Sequence, residues 1–198
     1  MTGEQPNRAM VFVDGNNLYH RLRERGWPTY VEIGALAKRL VGGRQLTGTY
    51  YYNAPPPSGS EHEARGKAYL AMIKGAPDIV FRQSRLQPTR RADEFGTYTS
   101  YVEKGADTAI SADMVRFAAA DEYDVAILVS NDGDFAPVAE TVRDVYGKLV
   151  EVIYFKGSRP FAMEGVARMR EFRQGLLQEL DYRPEPKRTR RRPQRKRR

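Results

Sequence analysis

The sequence predicts a three-layer α/β fold with a mostly parallel central sheet, and three observations carry that prediction. Residues 124–129, read Asp-Val-Ala-Ile-Leu-Val, form a nearly continuous apolar run, as a central strand covered on both faces requires. Other short runs rich in apolar or β-branched and aromatic residues, at 9–13, 47–53, 79–83 and 149–155, have the length and composition of strands. Between them lie segments whose apolar residues recur at helical spacing, and strands alternating with helices build parallel sheets.

Ala9, Met10, Val11, Phe12 and Val13 lead into Asp14, and Gly15, Asn16 and Asn17 end the run, so a buried first strand carries a carboxylate at its C-terminal end. Leu18, Tyr19 and Leu22 predict a helix to about Arg25, stopped by Gly26. Ile33, Leu36, Ala37 and Leu40 predict another over 31–40, followed by Gly42 and Gly43. Both belong on one side of the first strand. The strand at 47–53 is closed by Pro55, Pro56 and Pro57; its Tyr50, Tyr51 and Tyr52 alternate across the sheet and are expected in the core and its rim rather than as a base-stacking platform. A helix over 61–74 and a strand over 79–83 follow.

Residues 84–97 are polar, basic and without period, and read as a loop or hairpin excursion holding Arg85, Arg90 and Arg91. Residues 98–102 read as a short strand or an extended approach to the next helix, which runs to Ala120. Asp107 stands at or near that helix's start, where a side-chain oxygen can cap free N–H groups and the dipole favours negative charge. After the central strand come Ser130, Asn131, Asp132, Gly133 and Asp134, then a helix over 135–146 with Pro137 in its first turn and Gly147 at its end. A strand over 149–155 and one or two helices over 161–180 complete the expectation.

A chain of 198 residues, 40% hydrophobic, supports one domain with its own core. It is predicted to span 9–180, after an extension of 1–8 and before a disordered arginine-rich tail of 181–198. No run reaches membrane-spanning length and the first residues lack a signal peptide's apolar stretch, so the expectation is a soluble, cytoplasmic protein without membrane contact. With no cysteine and two histidines, His20 and His62, any metal would be held by oxygen. His20 is expected as a helix-surface or packing residue. The net charge of +8 is concentrated at one end: nine Lys or Arg and no acid fall within 187–198, leaving the remainder close to neutral. Such a block repels itself and neutralises phosphates.

In a parallel sheet the strand C-termini share one edge, so Asp14, Asp132 and Asp134 are expected together, with Asp107 within reach. Gathered carboxylates raise one another's pKa unless a cation neutralises them. A hard divalent ion, Mg²⁺ or Mn²⁺, suits such oxygen ligands and phosphodiester hydrolysis. Asp113 lies about 240° further round the helix than Asp107; it is expected outside this set, holding Lys104 or a nearby backbone group.

The stretches Phe12-Val13-Asp14-Gly15-Asn16-Asn17, Lys104-Gly105-Ala106-Asp107 and Ser130-Asn131-Asp132-Gly133-Asp134-Phe135 resemble the three signature motifs of the NYN domain, within the PIN-like ribonuclease superfamily, and most closely its bacterial LabA-like branch. Asn131 stands where LabA-like members often have glycine. The resemblance implies a PIN-like α/β/α domain that cuts RNA with Mg²⁺ or Mn²⁺. It assigns the metal to Asp14, Asp107, Asp132 and Asp134, and gives Asn17 the task of orienting water or substrate.

The sequence-level expectation is therefore a metal-dependent endoribonuclease, with Lys104 placed to neutralise charge developing on a phosphate. RNA would be held by Arg90 and Arg91 and by the tail's Lys187, Arg188, Arg190, Arg191, Arg192, Arg195, Lys196, Arg197 and Arg198. A second subunit supplying basic surface, or an RNA–protein complex, fits the same picture. The alternative is a catalytically inactive RNA-binding or adaptor module on the same fold. A phosphatase or nucleotide-binding Rossmann protein fits worse, since neither G-x-G-x-x-G after the first strand nor G-x-x-x-x-G-K-[ST] occurs.

Overall fold

The structure is a computed structural model that describes residues 7–94 and 96–182. Its centre is a six-stranded sheet of order β3-β2-β1-β6-β7-β8, every neighbouring pair parallel. These strands are β1 (Arg8–Asp14), β2 (Gln45–Asn53), β3 (Val80–Gln83), β6 (Val125–Val129), β7 (Leu149–Tyr154) and β8 (Arg168–Glu171). Between β3 and β6 the chain makes a separate antiparallel hairpin of β4 (Arg85–Asp93) and β5 (Gly96–Lys104).

Strand alternation divides the core into two layers. Ala9, Val11 and Val13 of β1 face α1 (Gly15–Glu24), α2 (Ile33–Val41) and α3 (Glu63–Gly75), where Leu22, Leu36 and Ile73 are buried against them. Met10 and Phe12 face the other way, toward α4 (Ala106–Ala119) and α5 (Ala136–Asp144), packing with Ile110, Met114, Phe117 and Val142. All five residues of β6 are buried, because this strand lies mid-sheet with helices on both sides. The first two helices share one face, as their sequence implied.

One segment meets the sequence reading in part and another departs from it. Residues 84–97, expected as a loop or hairpin, are a hairpin, and 98–102 belong to its second arm rather than to a separate short strand: nine residues per arm pair from Arg85 with Lys104 to Asp93 with Gly96. Residues 161–180 are not helical. Phe161–Met163 and Gln174–Leu177 are single 3₁₀ turns, and Arg168–Glu171 pairs with β7 as the edge strand. The apolar spacing there mimics a helix, but Gly165 (φ +80°) breaks it, and adding a strand satisfies the backbone groups of β7. Phe172 then stacks on Phe155 at 4.4 Å between ring centres.

At the sheet's N-terminal end Glu151 is buried and receives a bidentate pair of hydrogen bonds from Arg44 (3.2 and 2.9 Å) and one from Arg170 (2.5 Å). Burial alone would push this carboxyl up, but the two guanidinium groups hold it below its ordinary value. The clamp ties β7, β8 and the turn after α2 together.

Candidate active site

The chain runs outward from β1 through β2 to β3 on one side and from β6 through β7 to β8 on the other. The crevice beyond the C-terminal ends of β1 and β6 is thus the topological switch point, where such sheets bind ligands. Register fixes what meets there. Val13 pairs with Val129, which sets Asp14 beside Ser130.

Asp14 is buried, and both its oxygens are engaged: Oδ1 accepts from the Asn17 N–H (3.0 Å), capping α1, and Oδ2 accepts from the Ser130 hydroxyl (3.1 Å). Helix α1 must start directly after it, and Gly15 makes room. A Cβ at that position would lie 2.5 Å from Cζ of Tyr51 and 2.7 Å from the Tyr52 carbonyl oxygen, so no side chain fits. Asn17 Oδ1 accepts from the Asn131 N–H (3.1 Å), joining the start of α1 to the end of β6. Asn131 in turn donates to the Ser158 carbonyl and accepts from the Phe155 N–H (3.2 Å), fixing the turn against the end of β7. Glycine at 131 would lose these side-chain bonds.

Asp132 caps the 3₁₀ turn Gly133–Phe135, accepting from the Asp134 N–H at 2.9 Å. Asp107 lies in the first turn of α4, whose cap is Gly105 in a left-handed conformation (φ +90°), and makes no capping bond. The sequence allowed Asp107 and Asp134 to be mere caps; the capping is done instead by Asp14 and Asp132. Asp134 is exposed inside its turn.

A cleft of about 450 Å³ holds Asp14, Asn17, Asp107 and Asp132, together with Asn16, His20, Arg91, Tyr101 and Glu103. Asp134 does not line it, although its charge bears on Asp107. Of the basic residues expected near substrate, Arg91 lines the cleft, Arg90 does not, and Lys104 is exposed beside Asp107 and favours its ionised form. The nine basic residues of 187–198 lie outside the described residues. Asp113 is elsewhere: it accepts from the Tyr52 hydroxyl (2.9 Å) and pairs with Arg82 (3.1 Å) and Arg116 (2.9 Å), not with Lys104.

The electrostatics are those of a cleft with more acids than bases, Arg21 and Arg91 being the cations in its lining. Burial chiefly raises Asp14, to about 6, with Asp107 and Asp132 adding to it against the bonds from Asn17 and Ser130. Burial likewise raises Glu103 to about 7, opposed by its bond from the Ser84 hydroxyl and reinforced by Asp14 and Asp107. Asp107 is raised by partial burial and then by Asp132 and Asp134. Among the described residues none of these five acids forms an ion pair, whereas Glu151 and Asp113 each have arginines. The oxygen-only set and its excess of negative charge suit a hard divalent cation. Among the described residues, however, no three acidic or histidine side chains converge closely enough to hold one ion.

Glu103, Ser130 and Asn131 were not assigned roles by sequence reasoning. Glu103 could have been found by its place four residues before Asp107, at the mouth of the hairpin. The other two act through contacts that only the fold creates.

The NYN domain model matches residues 8–171. Among solved structures, a protein of unknown function from Vibrio parahaemolyticus is similar, with a TM-score of 0.59 at 19% identity over 88% of this chain and 98% of that one, a likeness of fold. No curated protein matches. Among the described residues no helix is long and apolar enough to cross a membrane.

Proposed function

The chain belongs to the NYN domain family, whose members are generally nucleases of the PIN-like fold, and from that premise we propose that it is a metal-dependent ribonuclease. The observation that carries the reading is the acid-rich cleft at the switch point: Asp14, Asp107 and Asp132, with Asp134 beside them, form no ion pair among the described residues, although Arg21 and Arg91 share the lining. Asp14, Asp107 and Asp132, which line the cleft, would supply oxygen ligands to Mg²⁺ or Mn²⁺ with Asp134 next to them, although they do not converge on one point as they stand; the ion when bound supplies charge neutralisation at the phosphate and activation of water. Asn17, held through its carbonyl by the Asn131 N–H, keeps its amide NH₂ to orient water or a phosphate oxygen. Glu103, titrating near pH 7, is suited to accept or return a proton there. Arg91 at the rim would fix the RNA backbone, and the tail of 187–198 would supply sequence-independent affinity.

The test is cleavage of labelled single-stranded and structured RNA, with DNA alongside, in Mn²⁺, Mg²⁺ or EDTA. Metal-dependent cutting is expected, falling at least about 100-fold in Asp132→Asn, the scale of a lost charge-stabilising group. Asp113→Asn, outside the cleft, is expected to retain most of the activity. The absence of three converging acids among the described residues favours a second reading, a non-catalytic RNA-binding or adaptor module. RNA binding without cutting under any metal, or an Asp132→Asn protein that cuts equally well, selects it.

A further inference from the structure

Beside the acidic cleft a second cavity of about 330 Å³ opens between α1, α3, the end of β2 and the hairpin. The two share Asn16, His20, Tyr101 and Glu103 as common walls, so they are adjoining chambers of one depression. Their linings differ sharply. Where the first is acidic, the second is lined by the exposed ring of Tyr101, by the buried and mutually packed Tyr30, Tyr51 and Tyr69, and by a strap of three prolines, Pro55, Pro56 and Pro57. The prolines wall the pocket with backbone that has no N–H to satisfy. Helix α3 closes tightly on the strap at Gly66, where a Cβ would lie 3.0 Å from Cγ of Pro56.

Polar side chains also line it, among them Arg23, His62, Asn53 and Ser60. Asn53 donates its Nδ2 to the Tyr51 hydroxyl (2.9 Å), and the Ser60 hydroxyl is buried without a hydrogen-bond partner among the described residues. A buried hydroxyl without a partner carries a desolvation cost that a ligand's polar edge removes.

We propose that this aromatic chamber receives the base of a single-stranded nucleotide whose phosphate lies in the acidic cleft. The proposal rests on the nuclease reading for the cleft but not for the pocket. The exposed ring of Tyr101 suits the π-face that every base carries, above a floor of buried tyrosines. Asn53 and Ser60 offer hydrogen bonds to its edge. The volume is on the scale of one nucleoside, and a base stacked and paired in a duplex would have to leave its stack to enter. The adjoining walls place base and phosphate in neighbouring chambers, as the covalent structure of a nucleotide requires.

The experiment uses the full chain in EDTA and four nucleosides, adenosine, guanosine, cytidine and uridine, against ribose, with binding read by saturation-transfer NMR on the base protons. Having no phosphate, the probes do not depend on the acidic cleft. At least one nucleoside is expected to bind roughly tenfold more tightly than ribose. Tyr101→Ala removes about tenfold of that affinity while Tyr101→Phe keeps it, as loss of one stacking ring requires; Ser60→Ala weakens it several-fold. Asp132→Asn leaves nucleoside binding intact. Nucleosides that bind no better than ribose, or a preference indifferent to both Tyr101→Ala and Ser60→Ala, overturn the pocket even if RNA is cut. Nucleoside binding without RNA cleavage upholds the pocket and counts against the nuclease reading alone.

Discussion

Burying Asp14 at the end of β1 costs the folded state whenever its carboxyl is ionised, because burial and two neighbouring aspartates oppose the charge more than two hydrogen bonds favour it. A carboxyl raised in the folded state contributes stability that is complete below its unfolded pKa and lost as pH rises through its folded value, here from about 4 to about 6. Asp14→Asn keeps a side-chain oxygen for the Asn17 N–H and carries no charge. In EDTA the variant should therefore match the wild type near pH 4 and exceed it at pH 8. Two pKa units set an upper limit of about 3 kcal/mol for that gain. Mn²⁺ added at pH 8 should raise the wild type's unfolding midpoint and leave the variant's nearly unchanged. Urea and thermal unfolding with and without the ion check both statements; a gap independent of pH would show that Asp14 is not the strained group.

At the scale of elements, the hairpin is the part whose role is least structural. Beyond Leu86 and Val102 most of its residues are exposed, including Arg90, Arg91, Tyr98 and Tyr101, a mixture of cations and aromatic rings suited to a single strand. Replacing 88–101 by an Asn-Gly turn keeps the bond between Ser84 and Glu103 and removes that arm. The unfolding midpoint should move little, while RNA affinity at moderate salt should fall about tenfold or more. Fluorescence titration measures it, and an unchanged affinity would remove the arm from the interface. The contrast with residues 161–180 shows what the sequence can and cannot tell. The strands and helices of the main sheet were legible because burial imposes a period on them. The exposed hairpin has no such period, and β8 takes its form from the free edge of β7, a partner that local spacing does not reveal.

For the molecule as a whole, the candidate site was readable to the extent that parallel topology does the work. Asp14 and Asp132 meet because β1 and β6 are adjacent and in register, which alternation of strands and helices already implied. The aromatic chamber depends on where the hairpin sets Tyr101 beside the end of β2, and no linear motif encodes that. Charge is separated on the same large scale. The cleft is acidic and repels phosphate, yet nine cations without an acid crowd into 187–198. On the ribonuclease reading proposed above, the cations of 187–198 would hold the polyanion, and each phosphate they neutralise releases counterions. Deleting 187–198 should flatten the salt dependence of RNA binding by about 0.7 in log–log slope for every phosphate no longer neutralised, up to about six for all nine cations. Cleavage at saturating RNA should persist, since the aspartates are untouched. Binding isotherms between low and moderate salt decide it: a steep slope that survives the deletion would move the electrostatic work to the hairpin's Arg90 and Arg91, and the replacement of 88–101, which removes both, would then become the variant that flattens it.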